Sequence, residues 1–303
     1  MSGPGMVLER HGRVTPLGIR FWDEAINAAV AEGLEVTVYP LQDAARRAAA
    51  RPNAIKTFVL PQLPGPRFPE QEFGPGDEEF RPGDEQSVPG DDKFWSRVKP
   101  RAFGVEVKDR RGYYQPFTLD LKLPFRGLAV PAFVPPTSPP SEVVTLFPTA
   151  SRPVPAGIAV VRSELQTPVP GRESELQPAS WAVLEVQVGT TPPVRGLADR
   201  EGRIAILLPY PEPTPARARP ASPPYPAATP LHTQTWPVRL TAFYEAATPA
   251  PLIPDLRRTL EQAPAMLWTQ DAGGRRPLGD QVLRYGEELI VRSVVVTPAG
   301  SPP

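Results

Sequence analysis

The stretch GLADREGRIAILLPYP, Gly196 to Pro211, joins a turn and a strand in one short run of sequence. Asp199 and Gly202 are residue types that favour tight turns. The apolar positions that follow alternate, with Ile204, Ile206 and Leu208 on one face and Ala205 and Leu207 on the other. Because both faces are apolar, we expect a strand that is covered on both sides and that ends at the first proline.

Similar short runs recur along the chain. Proline supplies 45 of the 303 residues, which disfavours long helices and central strands at many positions. Strands or hairpins are predicted at 18–23, 34–39, 57–65, 103–121, 157–165, 180–188, 236–246 and 281–296. Helical turns are expected only at 44–51 and in one short helix at 254–262. The pattern predicts an all-β protein with long proline-rich loops and at most short helices.

Composition divides the chain into two predicted β-sandwich domains. The first covers 1–135 and contains an acidic loop rich in proline and glycine at 66–92. A proline-rich linker is predicted at 136–155. The second domain covers 156–303 and contains a proline-rich loop at 211–237. The two halves repeat the same order of strands and loops, which suggests an internal duplication.

The charge and cysteine content argue against several classes of protein. Lys+Arg and Asp+Glu both number 33, so no basic excess points to nucleic acid or to an anionic membrane. Without cysteine there are no disulfides, thiolate metal sites or cysteine nucleophiles. No secretory apolar segment is visible, and no run approaches the roughly 20 apolar residues of a membrane helix. We therefore expect a cytoplasmic protein that is not inserted in a membrane.

The turn and strand at 198–208 resemble an element of the transthyretin-like, carboxypeptidase-regulatory-like sandwiches. In that family a small residue and an aspartate precede a turn closed by glycine, and an alternating apolar strand follows; Ala198, Asp199 and Gly202 fit this pattern. The resemblance covers about fifteen residues and implies immunoglobulin-like or transthyretin-like domains, usually non-catalytic. In the first half Asn53 to Lys56 occupies the corresponding place, and we expect the turn to be missing there.

Four sequence segments are similar to segments of proteins from contractile phage-tail-like injection systems. They are VTPLGIRFWD, GLEVTVYP, PVRGLADREGRIAILLPYP and LRYGEELIVRS. The resemblance implies a structural role as a baseplate, sheath-associated or cap component. The expected partners are then other protein subunits of a large cytoplasmic assembly.

The residues give little sign of catalysis or of a cofactor. His11 and His232 are the only histidines, and no nucleophile elbow, paired-histidine zinc motif, or phosphate or dinucleotide loop occurs. The acidic loop could supply oxygen ligands to Ca²⁺, although its spacing matches no EF-hand and favours solvation. We therefore predict that the protein is not an enzyme and needs no cofactor or metal, with a hydrolase as the least favoured reading.

Aromatic residues beside loops are the candidate partner contacts. Phe94 and Trp95, and Tyr113 and Tyr114, lie next to predicted loops, where exposed rings mark contact surfaces. The same rings could instead pack in the cores. Exposed rings would also suit a second function, a module that binds carbohydrate or another surface ligand. The tract VPPTSPPSE could act as a spacer, an arm on a neighbouring subunit, or a ligand for a polyproline-binding domain.

Overall fold

The computed structural model describes residues 15–65, 99–125, 128, 143–212, 230–246, 249–271 and 274–298. The all-β, sandwich-like fold is confirmed: the described residues form two curled sheets and little helix. The first half contains β1 Leu17–Asp23, β2 Ala28–Val30, β3 Leu34–Pro40, β4 Ala48–Pro52, β5 Thr57–Leu60, β6 Arg101–Asp109, β7 Phe117–Leu123 and β8 Val144–Thr145.

The second half contains ten strands and two short helical segments among its described residues. The strands are β9 Ile158–Val169, β10 Arg172–Pro178, β11 Val183–Val188, β12 Val194–Leu197, β13 Arg203–Pro209, β14 Thr235–Phe243, β15 Pro264–Asp271, β16 Gly274–Pro277, β17 Gln281–Arg284 and β18 Leu289–Pro298. Helix α1, Leu256–Leu260, confirms the predicted short helix in a shorter form, and Leu231–Thr233 is a single 3₁₀ turn. Asp255 caps α1 by accepting a hydrogen bond from the Arg258 backbone N–H at 2.7 Å.

The two halves share one strand-pairing scheme. β1 and β9 hold the same place, since each pairs antiparallel with two strands of its own half and parallel with the last strand of that half. β3 and β11 likewise each pair with the next strand and with the first strand of another antiparallel pair, β6 with β7 and β14 with β15. In the parallel pairs Phe21 lies opposite Val144, and Leu165 lies opposite Val294. All four side chains are buried, which supports the predicted duplication.

The halves close their curled sheets at different places. In the first half β4 pairs with β5, and an isolated bridge from Tyr114 to Pro148 joins the loop before β7 to the segment after β8. In the second half β15 and β18 form a full ladder, whereas β12 and β13 meet through side chains. A Cβ atom on Gly196 of β12 would lie 2.3 Å from the Ile206 side chain of β13, so only glycine permits this approach.

The quoted strand β13 is buried on both faces, as its sequence predicts. Ile204, Ile206 and Leu208 lie in the core of the second half. Ala205 and Leu207 pack in a separate cluster that includes Ala25 of the first half. The second apolar face of β13 is therefore covered by the contact between the halves.

The halves share buried residues at a second place. Trp181, Val183, Leu197 and Leu256 of the second half belong to the core cluster built mainly from β1 to β8. The backbone N–H of Thr118 in β7 donates to the carbonyl of Pro254, just before α1, at 2.8 Å. The halves therefore pack together through a continuous core.

Two details of the predicted organisation differ in the structure. Residues 44–51 do not form helical turns, because Ala48–Pro52 is the strand β4, inserted between β3 and β5. Residues 143–155 of the predicted linker are packed: β8 pairs with β1, and Leu146 and Phe147 are buried. We call residues 146–157, which connect β8 to β9, the link. The remainder of the predicted linker, the acidic loop 66–92 and most of loop 211–237 lie outside the described residues.

Candidate functional site

The most unusual side-chain arrangement is a buried ion pair between the link and the first half. Asp23, at the end of β1, is 1% exposed, and Arg152 of the link is 5% exposed. Arg152 Nη2 donates to Asp23 Oδ2 at 2.5 Å, and the Tyr114 hydroxyl donates to the same oxygen at 2.6 Å. The other Asp23 oxygen accepts from the backbone N–H of Ala25 at 3.0 Å. Both carboxylate oxygens are thus satisfied, as a buried charge requires.

Tyr114 is fixed from two sides. Burial raises the pKa of its hydroxyl, and the hydrogen bond to the Asp23 carboxylate raises that pKa further. The guanidinium carbon of Arg152 lies 4.8 Å from the Tyr114 ring centroid. The hydroxyl therefore stays protonated and acts as a hydrogen-bond donor.

The link is also tied to the second half. Arg162 of β9 donates to the carbonyl oxygens of Ala150 and Arg152. Arg152 Nη1 is buried and has no hydrogen-bond partner among the described residues. Asp23, Arg152 and Arg162 thus connect β1, the link and β9.

A groove with an aromatic wall lies between the second half and the end of the link. Its volume is about 370 Å³, and it is lined by Tyr210, Tyr285, the side chains of Val154, Ile158 and Val160, and the turn of Gly286, Glu287 and Glu288. The rings of Tyr210 and Tyr285 are 4.7 Å apart, and Trp236 packs behind Tyr210 at 5.7 Å. The Tyr210 hydroxyl accepts a hydrogen bond from the Gly286 backbone N–H at 2.9 Å, which fixes that wall.

The predicted turn of the second half forms as the sequence indicates. Asp199 Oδ1 accepts from the backbone N–H groups of Glu201 and Arg203, at 2.9 and 2.8 Å. Gly202 has φ +78°, and a Cβ atom there would lie 2.2 Å from the carbonyl oxygen of Leu165. Gly202 is therefore required by the close approach of β9, and its positive φ also favours glycine.

The expectation that the first half lacks this turn is wrong. Asn53 Oδ1 accepts from the backbone N–H groups of Ile55 and Thr57, at 3.1 and 3.0 Å. Lys56 stands where Gly202 stands in the second half, with φ +59°. Its side chain is exposed and reaches the carbonyl of Ala29, so a Cβ atom is tolerated. The turn is built by the side-chain oxygen, and glycine is needed only where packing is close.

Of the four aromatic residues predicted as partner contacts, the structure describes two. Tyr114 is 5% exposed, so it packs in the core, which was the alternative to its proposed role as a partner contact. Tyr113 is half-buried, beneath the Arg111 guanidinium, whose carbon lies 5.1 Å from the ring centroid. Phe94 and Trp95 lie outside the described residues.

The described residues can be compared with the requirements of a metal site and of a membrane-spanning helix. Within them, no group of three or more His, Asp or Glu side chains is placed to hold a metal ion. His232 is exposed in the 3₁₀ turn, and His11 lies outside the described residues. Over the same ranges, no helix has the length and apolar character needed to cross a bilayer.

Sequence reasoning missed the Asp23–Arg152 pair and the aromatic groove. The pair joins residues 129 positions apart, and nothing local marks either as buried. Tyr210 directly follows the quoted strand, but its partner Tyr285 comes from a distant turn. Such long-range pairings leave no periodic signal in a single sequence.

No family model matches the chain, and no curated protein matches it either. Among solved structures, the Bacillus anthracis TIE protein aligns over 93% of this chain and 34% of its own, with 9% identity and a TM-score of 0.24. The chain thus spans about a third of that protein. A C-terminal fragment of the pilus adhesin SpaC from Lactobacillus rhamnosus GG aligns over 95% of this chain and 99% of its own, with 9% identity and a TM-score of 0.20. SpaC in its open conformation gives a TM-score of 0.19 at 10% identity, over 95% of this chain and 32% of its own.

These neighbours do not bear on function, because their TM-scores are far below the level of a shared fold. They show neither a transthyretin-like nor a phage-tail relationship. Both resemblances therefore stay predictions made from short stretches of sequence.

Proposed function

We propose that the protein is a non-enzymatic structural subunit that acts as one rigid block in a multi-subunit assembly. The observation that carries the proposal is the buried Asp23–Arg152 ion pair, which ties the link to β1. Domains within one chain usually move relative to each other unless their interface is large and apolar. Here an apolar core runs across the contact, and a buried ion pair adds a specific geometry. A subunit that holds its neighbours at a fixed spacing needs such a junction.

The finer proposal is a component of a cytoplasmic, contractile phage-tail-like particle, in a baseplate, sheath-associated or cap position. It is supported by the four sequence segments that are similar to segments of proteins from such particles. Its partners are then other protein subunits, with no nucleic acid and no insertion in a membrane.

Native sizing tests this proposal. The full chain is tagged in its source cell, the cells are lysed gently, and tagged fractions are sized and viewed by negative-stain microscopy. We expect the chain in cytoplasmic fractions of megadalton size, with tail-like particles and partners at constant stoichiometry. Elution of the chain at the size of a single copy would overturn the proposed role as a subunit. Large particles without a tail-like shape would overturn only the finer proposal.

A second candidate function, the binding of carbohydrate, is favoured by the groove with an aromatic wall. Half-buried tyrosines such as Tyr210 and Tyr285 offer flat apolar faces beside polar rims. Fluorescence titration of the isolated chain with a panel of oligosaccharides tests it, with Tyr285→Ala as the control variant. Saturable quenching that the variant loses supports this function, and an unchanged spectrum across the panel contradicts it.

A further inference from the structure

The aromatic groove has the features that suit an extended proline-rich segment. Its aromatic wall consists of the Tyr210 and Tyr285 rings, which pack against each other with centroids 4.7 Å apart, and its floor is apolar, with Val160 only 2% exposed. Proline-rich segments form polyproline helices whose rings pack against aromatic walls, and they lose little entropy on binding because they are already extended.

The rim of the groove carries negative charge. Glu287 and Glu288 are both exposed there. Arg162 lies 3.4 Å from Glu288 and offsets its charge. Glu287 has no ion pair among the described residues, so its carboxylate is available to a basic side chain of an occupant.

The chain's own sequence contains one tract with the complementary chemistry. Of its proline-rich tracts, 66–98 is acidic and 131–142 contains no basic residue, whereas 213–224, PTPARARPASPP, contains Arg217 and Arg219 and no acidic residue. Arg217, Pro220 and Pro223 follow at intervals of three. A polyproline helix has three residues per turn, so in that conformation these side chains would share one edge.

We propose that the groove binds residues 213–224 of a second copy of this chain. Pro220 and Pro223 pack against the exposed sides of the two tyrosine rings, and Arg217 pairs with Glu287. The exchange is reciprocal, so each dimer contains two such contacts. This contact does not depend on the larger assembly proposed above.

A second copy fits better than the same copy because of where the tract begins. It starts three residues after Tyr210, which is itself part of the wall of the groove. A polyproline helix rises about 3.1 Å per residue and does not double back. In that conformation the tract would carry Arg217 about 20 Å from Tyr210 of its own chain, within reach of a neighbour.

Sedimentation of the purified full chain tests the proposal, from about 1 µM to about 300 µM. We expect a monomer–dimer equilibrium that Glu287→Arg and Arg217→Glu each weaken about tenfold, since each places like charges together. The double variant with both substitutions restores the pair in reverse and recovers the dimer. Tyr285→Ala weakens the dimer without altering charge. Glu245→Arg is the matched control, because Glu245 is exposed and lies beyond the opposite end of β14 from Trp236.

Three results would overturn the proposal. The first is a chain that stays monomeric at every concentration, with or without added oligosaccharide. The second is a dimer that none of the groove variants weakens. The third is a dimer that Glu245→Arg weakens as much as Glu287→Arg. Because sizing in the source cell reports the larger assembly, failure of the proposed function is seen separately.

Discussion

The two halves solve the same packing problem with different chemistry at equivalent positions of β1 and β9. From the matching registers, Asp23 in β1 corresponds to Thr167 in β9, and both are buried. Each bonds a buried tyrosine: Tyr114 donates to Asp23, and Thr167 bonds Tyr244. The first half thus carries a charge where the second carries a hydroxyl. Only the charge needs a cation, and the link supplies Arg152.

The comparison teaches that the ion pair is not needed to build this fold. The second half buries the equivalent tyrosine, Tyr244, with a hydrogen bond to the neutral Thr167. A neutral hydrogen bond avoids the cost of taking two charges out of water. The charged version in the first half therefore serves the position of the link, which lies between the halves.

Removal of Arg152 is expected to have the largest effect on the stability of the first half. Arg152→Ala leaves the Asp23 carboxylate buried and without its cation, and we expect a loss of about 3–5 kcal/mol in the free energy of unfolding. Chemical denaturation measures it. Adding Asp23→Thr gives the first half the chemistry of the second, and we expect it to recover most of the loss. A loss below about 1 kcal/mol for Arg152→Ala would contradict a role for the ion pair in stability.

The glycine of the second turn gives the next largest effect. Gly202→Ala places a Cβ atom against the Leu165 carbonyl at a positive φ, and we expect a loss of about 2–4 kcal/mol. Lys56→Ala at the equivalent position keeps a Cβ atom that is already accommodated, and we expect a loss under about 1 kcal/mol. Thermal and chemical unfolding of both variants measure the difference. Equal losses would mean that the two turns are not equivalent.

Removing the side-chain acceptor of either turn should lower the free energy of unfolding by a similar amount. Asp199→Ala and Asn53→Ala each remove an oxygen that accepts from two backbone N–H groups, so we expect about 1–2 kcal/mol for each. Asp199 also pairs with Arg203 at 2.9 Å, an exposed contact that adds little and weakens with salt. Measuring both variants at low and high salt isolates that contribution. A salt-dependent loss for Asn53→Ala would contradict this explanation.

The smallest effect concerns pH and a carboxyl group near the junction. Burial raises the pKa of Glu24, which outweighs the hydrogen bond from Thr145. The folded state therefore holds the proton more tightly than the unfolded state, and this group's contribution to stability is lost as pH rises through its folded pKa. Glu24→Gln should stabilise the protein at neutral pH by no more than about 1 kcal/mol and should change little in acid. Stability curves against pH for both proteins test this, and a variant less stable at neutral pH would contradict it.

How much the sequence could predict follows from how local each signal is. The strands at 18–23 and 34–39 and the turn at Asp199 were predictable, because alternation and turn chemistry act over a few residues. The strand β4 was missed because its alanines and arginines favour helix, and pairing with β3 and β5 overrides that preference.

The candidate site was largely beyond sequence reasoning. The Asn53 turn was missed because it lacks a glycine, although its side-chain oxygen does the same work as that of Asp199. Tyr114 was a candidate partner contact because it adjoins a turn, with core packing as the alternative, and the structure buries it beside the bridge to Pro148. The groove depends on Tyr210 and Tyr285, which only the folded chain brings together.

The parallel pairing of β9 with β18 has a mechanical consequence. These are the first and last strands of the second half, and they lie side by side from Val161 to Gln166 of β9. Tension applied at the start of β9 and the end of β18 pulls the strands along their lengths in opposite directions. The hydrogen bonds between them are then loaded in shear and resist the force together, instead of breaking one after another. The equivalent contact of β1 with β8 is only two residues long, so the second half should withstand the greater force.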